Sequence, residues 1–284
     1  MSKLLIIGST GMFGSYFCNF LKKKGIKFSK SHNYKNLRID LTIKKNVFSS
    51  LDSLKPNVIV NLAAMTDIEL CEKKEKLAYK TNSTIPKNIM SWIKINKSAR
   101  LIHFSTDHVY SGNGPHKEKK TKTCNVYAKS KKKGEDALDL SKCLILRTNF
   151  FGISKSKKNS LSDWIADSIK KNKYITLYNN VYFNPLSLET LSKILLTLIK
   201  KPTYGLYNLG SKNGFSKFKF AKFFIEAINN KYRNFDIINY SNTKSVKRSL
   251  DMRMNINMFQ KKLNIKLPTL KKEVLKELKF YLKK

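Results

Sequence analysis

Tyr127 stands four positions ahead of Lys131 in the stretch NVYAKSKKKGE, residues 125–135. Residues at i and i+4 share one face of a helix, so a phenol there has an ammonium beside it. Such a pair can pass a proton to a reacting oxygen. Spacing alone does not establish this. Six of the 57 basic residues are Arg, leaving 51 Lys among 284 positions with 13 Tyr, and that composition yields roughly two Tyr-x-x-x-Lys matches by chance. Two occur, Tyr127/Lys131 and Tyr240/Lys244. Only the first follows a strand-like run, RLIHFST, and NYSNTKS around the second is polar throughout.

A second constellation lies at the amino end, where GSTGMFG sets glycines at 8, 11 and 14 between the apolar run KLLII and a helical pattern of Met12, Phe13, Phe17, Phe20 and Leu21. With 11 glycines in the chain, this triple spacing arises by chance in about one such sequence in sixty. Gly8 turns the chain off a strand, Gly11 clears space for a pyrophosphate, and Gly14 lets the helix pack closely. The helix N-terminus then offers its free N–H groups to the anion. Thr10, Met12 and Phe13 fall within the same cradle. The tip of the second strand, where an acid favours NAD and a base NADP, reads KFSKSHN, with Lys30, Ser31 and His32 and no acid. This ranks NADPH ahead of NADH. By analogy with such dinucleotide sites, Asp40, followed by Leu41, would accept from the adenine amino group rather than hold the ribose.

These pieces need a scaffold. Apolar runs at 3–7, 26–29, 57–64, 100–106 and 143–148 alternate with helical patterns near 12–24, 44–54, 68–80, 84–96 and around Tyr127. That alternation predicts an α/β, Rossmann-like, doubly wound parallel sheet over residues 1–150. After residue 150 the pattern becomes mainly helical (160–171, 187–199, 216–229, 268–282), with short strands at YITLY and GLYNLG. We read 151–284 as a smaller substrate lobe, some of whose segments return to the first domain.

Composition narrows the function. A hydrophobic fraction of 41% suffices for a large core. No apolar run approaches the roughly 20 residues of a membrane span, and the start carries no cleavable signal pattern, which points to a cytoplasmic protein without a membrane partner. Cys18, Cys71, Cys124 and Cys143 lack zinc or disulfide spacing, and no metal site is expected. The net charge of +38 is spread as Lys along the whole chain. Scarce Arg argues against specific nucleic-acid readout and for a lysine-decorated surface.

GSTGMFG, VIVNLAAMTDIELCE, FSTDHVYSG, NVYAKSKKKGE and LILRTNFFG, in that order, resemble the extended short-chain dehydrogenase/reductases, most closely the dTDP-4-dehydrorhamnose reductase family. The resemblance implies that Thr106, Tyr127 and Lys131 are catalytic, with Tyr127 donating a proton and Lys131 lowering the phenol pKa and reaching the nicotinamide ribose. It places Ala63, Ala64 and Thr66 along the cofactor, with strand-end packing as the plain alternative, and Asp107, His108 and Phe150 beside the substrate, where the plain alternatives are a turn cap for Asp107, a structural substitution for His108 and a core position for Phe150. His108 stands where the family usually has Tyr. The family's D-Q-x-G-x-P-T segment is reduced to NVYFNPLS, keeping Pro185, so another nucleotide-linked 4-keto sugar is as admissible a substrate as the dTDP-4-keto sugar of rhamnose synthesis. The implied activity is an NAD(P)H-dependent ketoreduction serving polysaccharide synthesis, and a homodimer is admitted. The alternative is a binding module resembling the regulatory subunit of methionine adenosyltransferase.

Overall fold

The computed structural model of the chain describes residues 3–30, 39–154, 156, 159–241 and 246–283. From the amino end the chain forms β1 (Leu4–Ile7), α1 (Met12–Lys23), β2 (Ser29–Lys30), α2 (Lys44–Leu54), β3 (Val58–Asn61), α3 (Ile68–Lys73), α4 (Glu75–Tyr79), a π turn (Lys80–Thr84), α5 (Ile85–Ile95), β4 (Arg100–Thr106), α6 (Val126–Asp136) and β5 (Cys143–Thr148). It continues through β6 (Phe150–Phe151), α7 (Leu161–Lys170), β7 (Ile175–Tyr178), β8 (Tyr182–Phe183), β9 (Leu186–Ser187), α8 (Leu188–Lys200), β10 (Gly205–Leu209), β11 (Phe215–Ser216), α9 (Lys217–Ile228), β12 (Phe235–Ile238), α10 (Asn257–Leu263) and α11 (Leu270–Leu282).

Six strands make one sheet in the order β10-β5-β4-β3-β1-β2, and every pairing in it is parallel. Side chains alternate between its faces, as the two-residue period of a strand requires. Leu4, Ile6, Val58, Val60, Ile102, Phe104, Leu144 and Leu146 pack with α1, α8 and α10. Leu5, Ile7, Ile59, Leu101, Cys143 and Ile145 pack with α2 and α5 on the other side. Both faces are therefore covered, which explains the continuous apolar runs. Phe13, Phe17 and Leu21 lie at 3% exposure or less and at helical spacing, fixing α1 against the sheet.

Most of the later chain builds another core, in which Phe220 and Phe224 of α9 meet Ile165 of α7, Phe183 of β8 and Val274 and Leu278 of α11. The strand GLYNLG does not lie there. As β10 it pairs with β5 at the sheet's edge, Gly205 beside Leu144 and Leu209 beside Thr148. Leu186 to Ile199 fill the same cluster as α1. The reason is covalent reach: α8 runs back along the sheet, and its Leu188, Leu191, Leu195 and Leu198 complete the apolar layer beside α1. Among the described residues no helix is long and apolar enough to cross a membrane.

Candidate active site

The strand order reverses between β1 and β3, and the carboxyl ends of such strands frame a crevice. Gly8 leaves β1 with φ at +79°, and a Cβ placed on it would lie 2.5 Å from the Ala63 amide nitrogen. A Cβ on Gly14 would lie 2.2 Å from the Gly8 carbonyl oxygen. These two glycines let the turn close on β3 and on itself. Gly11 differs: its Cβ would meet only the Gly8 oxygen, at 3.5 Å. It is the N-cap of α1, makes no side-chain cap, and no acid follows in the first turn. The first N–H groups of the helix are thus left facing the crevice without a side-chain acceptor.

That crevice is a cleft of about 700 Å³. Gly8, Thr10, Gly11, Met12, Phe13, Gly14, Leu62, Ala64 and Thr66 form one side, and Thr106, Asp107, His108, Tyr127, Lys131 and Phe150 stand among the residues of the other. Its size and its glycine cradle fit a nicotinamide dinucleotide. Ala63 lies outside the lining, its amide donating to the Asn61 side chain at 3.1 Å. Lys30 ends β2 within a shallower concavity with Lys22, Lys27 and Phe28. Asp40 is exposed, accepts from the Thr42 amide at 2.8 Å and is held below the usual carboxylate range by the Thr42 side-chain and amide hydrogen bonds. Leu41 packs near Val47 and Ile89. Ser31, His32 and Lys244 lie outside the described residues.

The opposite side is held by α6. Asn125 caps it, accepting from the Ala128 amide at 2.9 Å while its own amide donates to the Lys247 carbonyl at 2.9 Å. Tyr127 is 7% exposed and Lys131 2%. The Lys131 ammonium donates to the Phe104 carbonyl at 2.6 Å, at the carboxyl end of β4. The Thr106 hydroxyl is in hydrogen-bonding reach of the Tyr127 phenol and donates to Asp107 at 3.2 Å. Asp107 also accepts from Asn149 at 2.7 Å. His108 meets the Tyr127 ring edge-on at 5.5 Å. Phe150 stacks obliquely on Phe13 at 5.4 Å, so it serves the core as well as the cleft wall.

Burial pushes the Tyr127 phenol up; the Thr106 bond opposes this and the Asp107 charge adds to it. This differs from the lowering expected from the ammonium. With Lys131 anchored on a backbone carbonyl, desolvation dominates, and the phenol stays protonated through neutral pH. Lys131 itself is drawn down to about 8 by burial, opposed by Glu135. His108 is lowered by burial. The site thus places a protonated phenol and an adjacent hydroxyl where an oxyanion can take a proton.

Several residues here gave no usable sequence signal. The Lys217 ammonium sits over the Phe183 ring, 3.5 Å from its centroid, and is drawn down to about 8 by burial, with Asp107 opposing. In a chain with 51 Lys no spacing distinguishes it. A second cavity, of about 650 Å³, is lined by Tyr182, Lys247, Arg248, Asp251 and Arg253 among others. His103 and His116, unassigned by sequence, have partners. His103 faces the Asn61 amide at 3.1 Å, and His116 stacks on Tyr110 at 4.9 Å. Tyr240 packs edge-on against Tyr178.

The family model described as RmlD substrate binding domain matches residues 2–282. A dTDP-4-dehydrorhamnose reductase of Salmonella typhimurium is 31% identical over 216 residues, covering 72% of this chain and 71% of that protein. One from Aggregatibacter actinomycetemcomitans is 36% identical over 155 residues, 53% of this chain and 52% of its own. Among solved structures, the dTDP-4-dehydrorhamnose reductase of Bacillus anthracis in complex with NADP superposes with a TM-score of 0.85 at 23% identity, covering 97% of this chain and 98% of its own. The match runs from the glycine turn through α6 to the end of α11, and the chain belongs to the RmlD substrate binding domain family.

Proposed function

We propose that the protein is an NAD(P)H-dependent reductase of a nucleotide-linked 4-keto-6-deoxy sugar. The observation that carries this reading is the convergence of Thr106, Tyr127 and Lys131 on the cleft that the glycine turn opens. Gly8, Thr10, Gly11, Met12, Phe13 and Gly14 would hold the pyrophosphate, and Ala64 and Thr66 the stretch beyond it. Asp40 and Leu41 would meet the adenine and Lys30 an NADP phosphate. Hydride is what a nicotinamide bound there contributes. Tyr127 donates the proton to the ketone oxygen, Thr106 holds that oxygen, and Lys131 orients the ribose and stabilises the phenolate left behind. Asp107, His108 and Phe150 would border the sugar. The cations of the second cavity, Lys247, Arg248 and Arg253, suit its diphosphate, which supports a substrate role for that part of the later chain. The three relatives just compared are each named as dTDP-4-dehydrorhamnose reductases or solved as one, which supports the same chemistry.

The test is to follow NADPH absorbance with a panel of nucleotide-linked 4-keto sugars. Consumption with at least one is expected. Tight NADPH binding without turnover across the panel would favour the regulatory alternative.

A further inference from the structure

Glu135 has no part in the chemistry above, yet it lies one helical turn beyond Lys131 on α6 and is 4% exposed. Its carboxylate accepts from the Ser105 hydroxyl at 2.5 Å and from Arg147 Nε and Nη2 at 2.9 and 2.5 Å. Arg147, on β5 and 2% exposed, donates in turn to the Tyr110 hydroxyl at 2.8 Å and the Glu118 carbonyl at 2.7 Å. Tyr127, Lys131 and Glu135 therefore stand at i, i+4 and i+8 on one helix, and the last two bond two consecutive residues of one strand. Lys131 takes the Phe104 carbonyl and Glu135 the Ser105 hydroxyl, with Tyr127 beside Thr106 of the next position.

A buried ion pair is a poor device for stability alone, because an apolar pair of similar volume usually serves as well. Its place here has another effect. Burial disfavours the Lys131 ammonium, and Glu135 opposes that. Other groups around this face are the Tyr127 phenol on α6 itself, His103 on β4 and Asp107 just after it. Arg147 on β5 bonds the carboxylate directly. Cys71 and Glu72 of α3 face the start of α6, where Glu72 accepts from the Val126 amide at 2.8 Å, and Lys133 lies over Tyr79 of α4. The π turn contributes Asn82 and Ser83, bonded to Ser130, and α5 packs on the same helix with Pro86 near Gly134.

We propose that Glu135, clamped by Arg147 and Ser105, is a positioning residue that fixes Lys131 at the end of β4 and keeps its ammonium charged beside Tyr127. The proposal rests on the reductase reading for its consequence in turnover, but its test does not. In protein labelled with 13C- and 15N-lysine, the Lys131 side-chain signal, identified by its loss in Lys131→Met, is followed against pH. Glu135→Gln removes the carboxylate charge. Because that variant strands a buried guanidinium and can fail to fold, the double variant Glu135→Gln/Arg147→Met removes both charges together. In the folded variants the Lys131 midpoint should fall by about one pH unit relative to wild type, while Glu135→Asp keeps it near the wild-type value. An unchanged midpoint in the folded double variant overturns the proposal and leaves the pair a structural tie. With a substrate in hand, the alkaline limb of turnover should move down by the same shift while NADPH affinity at pH 6.5 is retained.

Discussion

Two helices of this protein each bury three polar side chains at i, i+4 and i+8. On α6 they are Tyr127, Lys131 and Glu135; on α11 they are Glu273, Glu277 and Tyr281. Burial is similar, yet the surroundings are opposite. Along α6 a cation alternates with a phenol and an anion, and each finds a partner on β4 or β5. Along α11, Glu273 accepts from the Ser187 amide at 2.7 Å and the Thr190 hydroxyl at 2.8 Å, and the Tyr281 hydroxyl donates to Asp163 at 2.8 Å. Glu277, between them, faces Glu273, Glu189 and Asp163. Desolvation first, then those like charges, push it up to about 7, with Lys276 opposing. Depth therefore does not decide whether a buried ionisable group is poised for chemistry; the sign of what faces it does.

The two helices should differ most at their phenols. Tyr127→Phe should lower turnover by about 10²–10⁴-fold while leaving NADPH binding, read by fluorescence, unchanged. Tyr281→Phe should leave turnover alone and lower the melting temperature, since Asp163 loses a donor. Equal losses of turnover would erase the distinction between the helices. Next comes Glu277→Gln. The folded carboxyl holds its proton up to about pH 7 whereas an unfolded one releases it near 4.3. Folding stability therefore falls as pH rises through that window and levels off above it. The substitution should stabilise the protein by about 1–3 kcal/mol at pH 8 and by almost nothing at pH 4, as read from urea melts; an equal effect at both would remove the charge explanation.

On α6 the sign is reversed. Lys131 loses its charge as pH rises through about 8, so turnover should fall above that point, approaching tenfold per pH unit, and a flat profile to pH 10 would detach the ammonium from the reaction. The smallest change falls on charge that neither helix buries. Lys30→Glu should weaken NADPH by about three- to tenfold more than NADH, measured by competitive titration, and equal losses would place the adenosine phosphate elsewhere.

What could be read from the sequence follows the range of the forces involved. The turn at Gly8, Gly11 and Gly14 was legible because strand, turn and helix signals are adjacent in the chain. Tyr127 and Lys131 stood out from a second match only because RLIHFST precedes them. Glu273 and Glu277 had no such advantage: in KKEVLKELKF they resemble a solvated face, and their burial is set by α7 and α8, distant in the chain. The Glu135–Arg147 pair was equally hidden, since nothing local says which Arg closes on which Glu. The phenol's pKa was misjudged for the same reason, because desolvation depends on what packs around α6. GLYNLG was legible as a strand, but its place beside β5 is a long-range choice between two cores.

The return of β10 to the sheet has a consequence for synthesis. A ribosome that has released only the first 150 residues presents β5 with an open outer edge, because its partner spans Gly205–Leu209, and leaves Phe13 and Phe17 without the leucines of α8. Unpaired strands and bare apolar layers invite aggregation. The nascent amino-terminal half should therefore be prone to aggregation until roughly sixty further residues have emerged, and excising that half as a stand-alone dinucleotide binder should yield insoluble material.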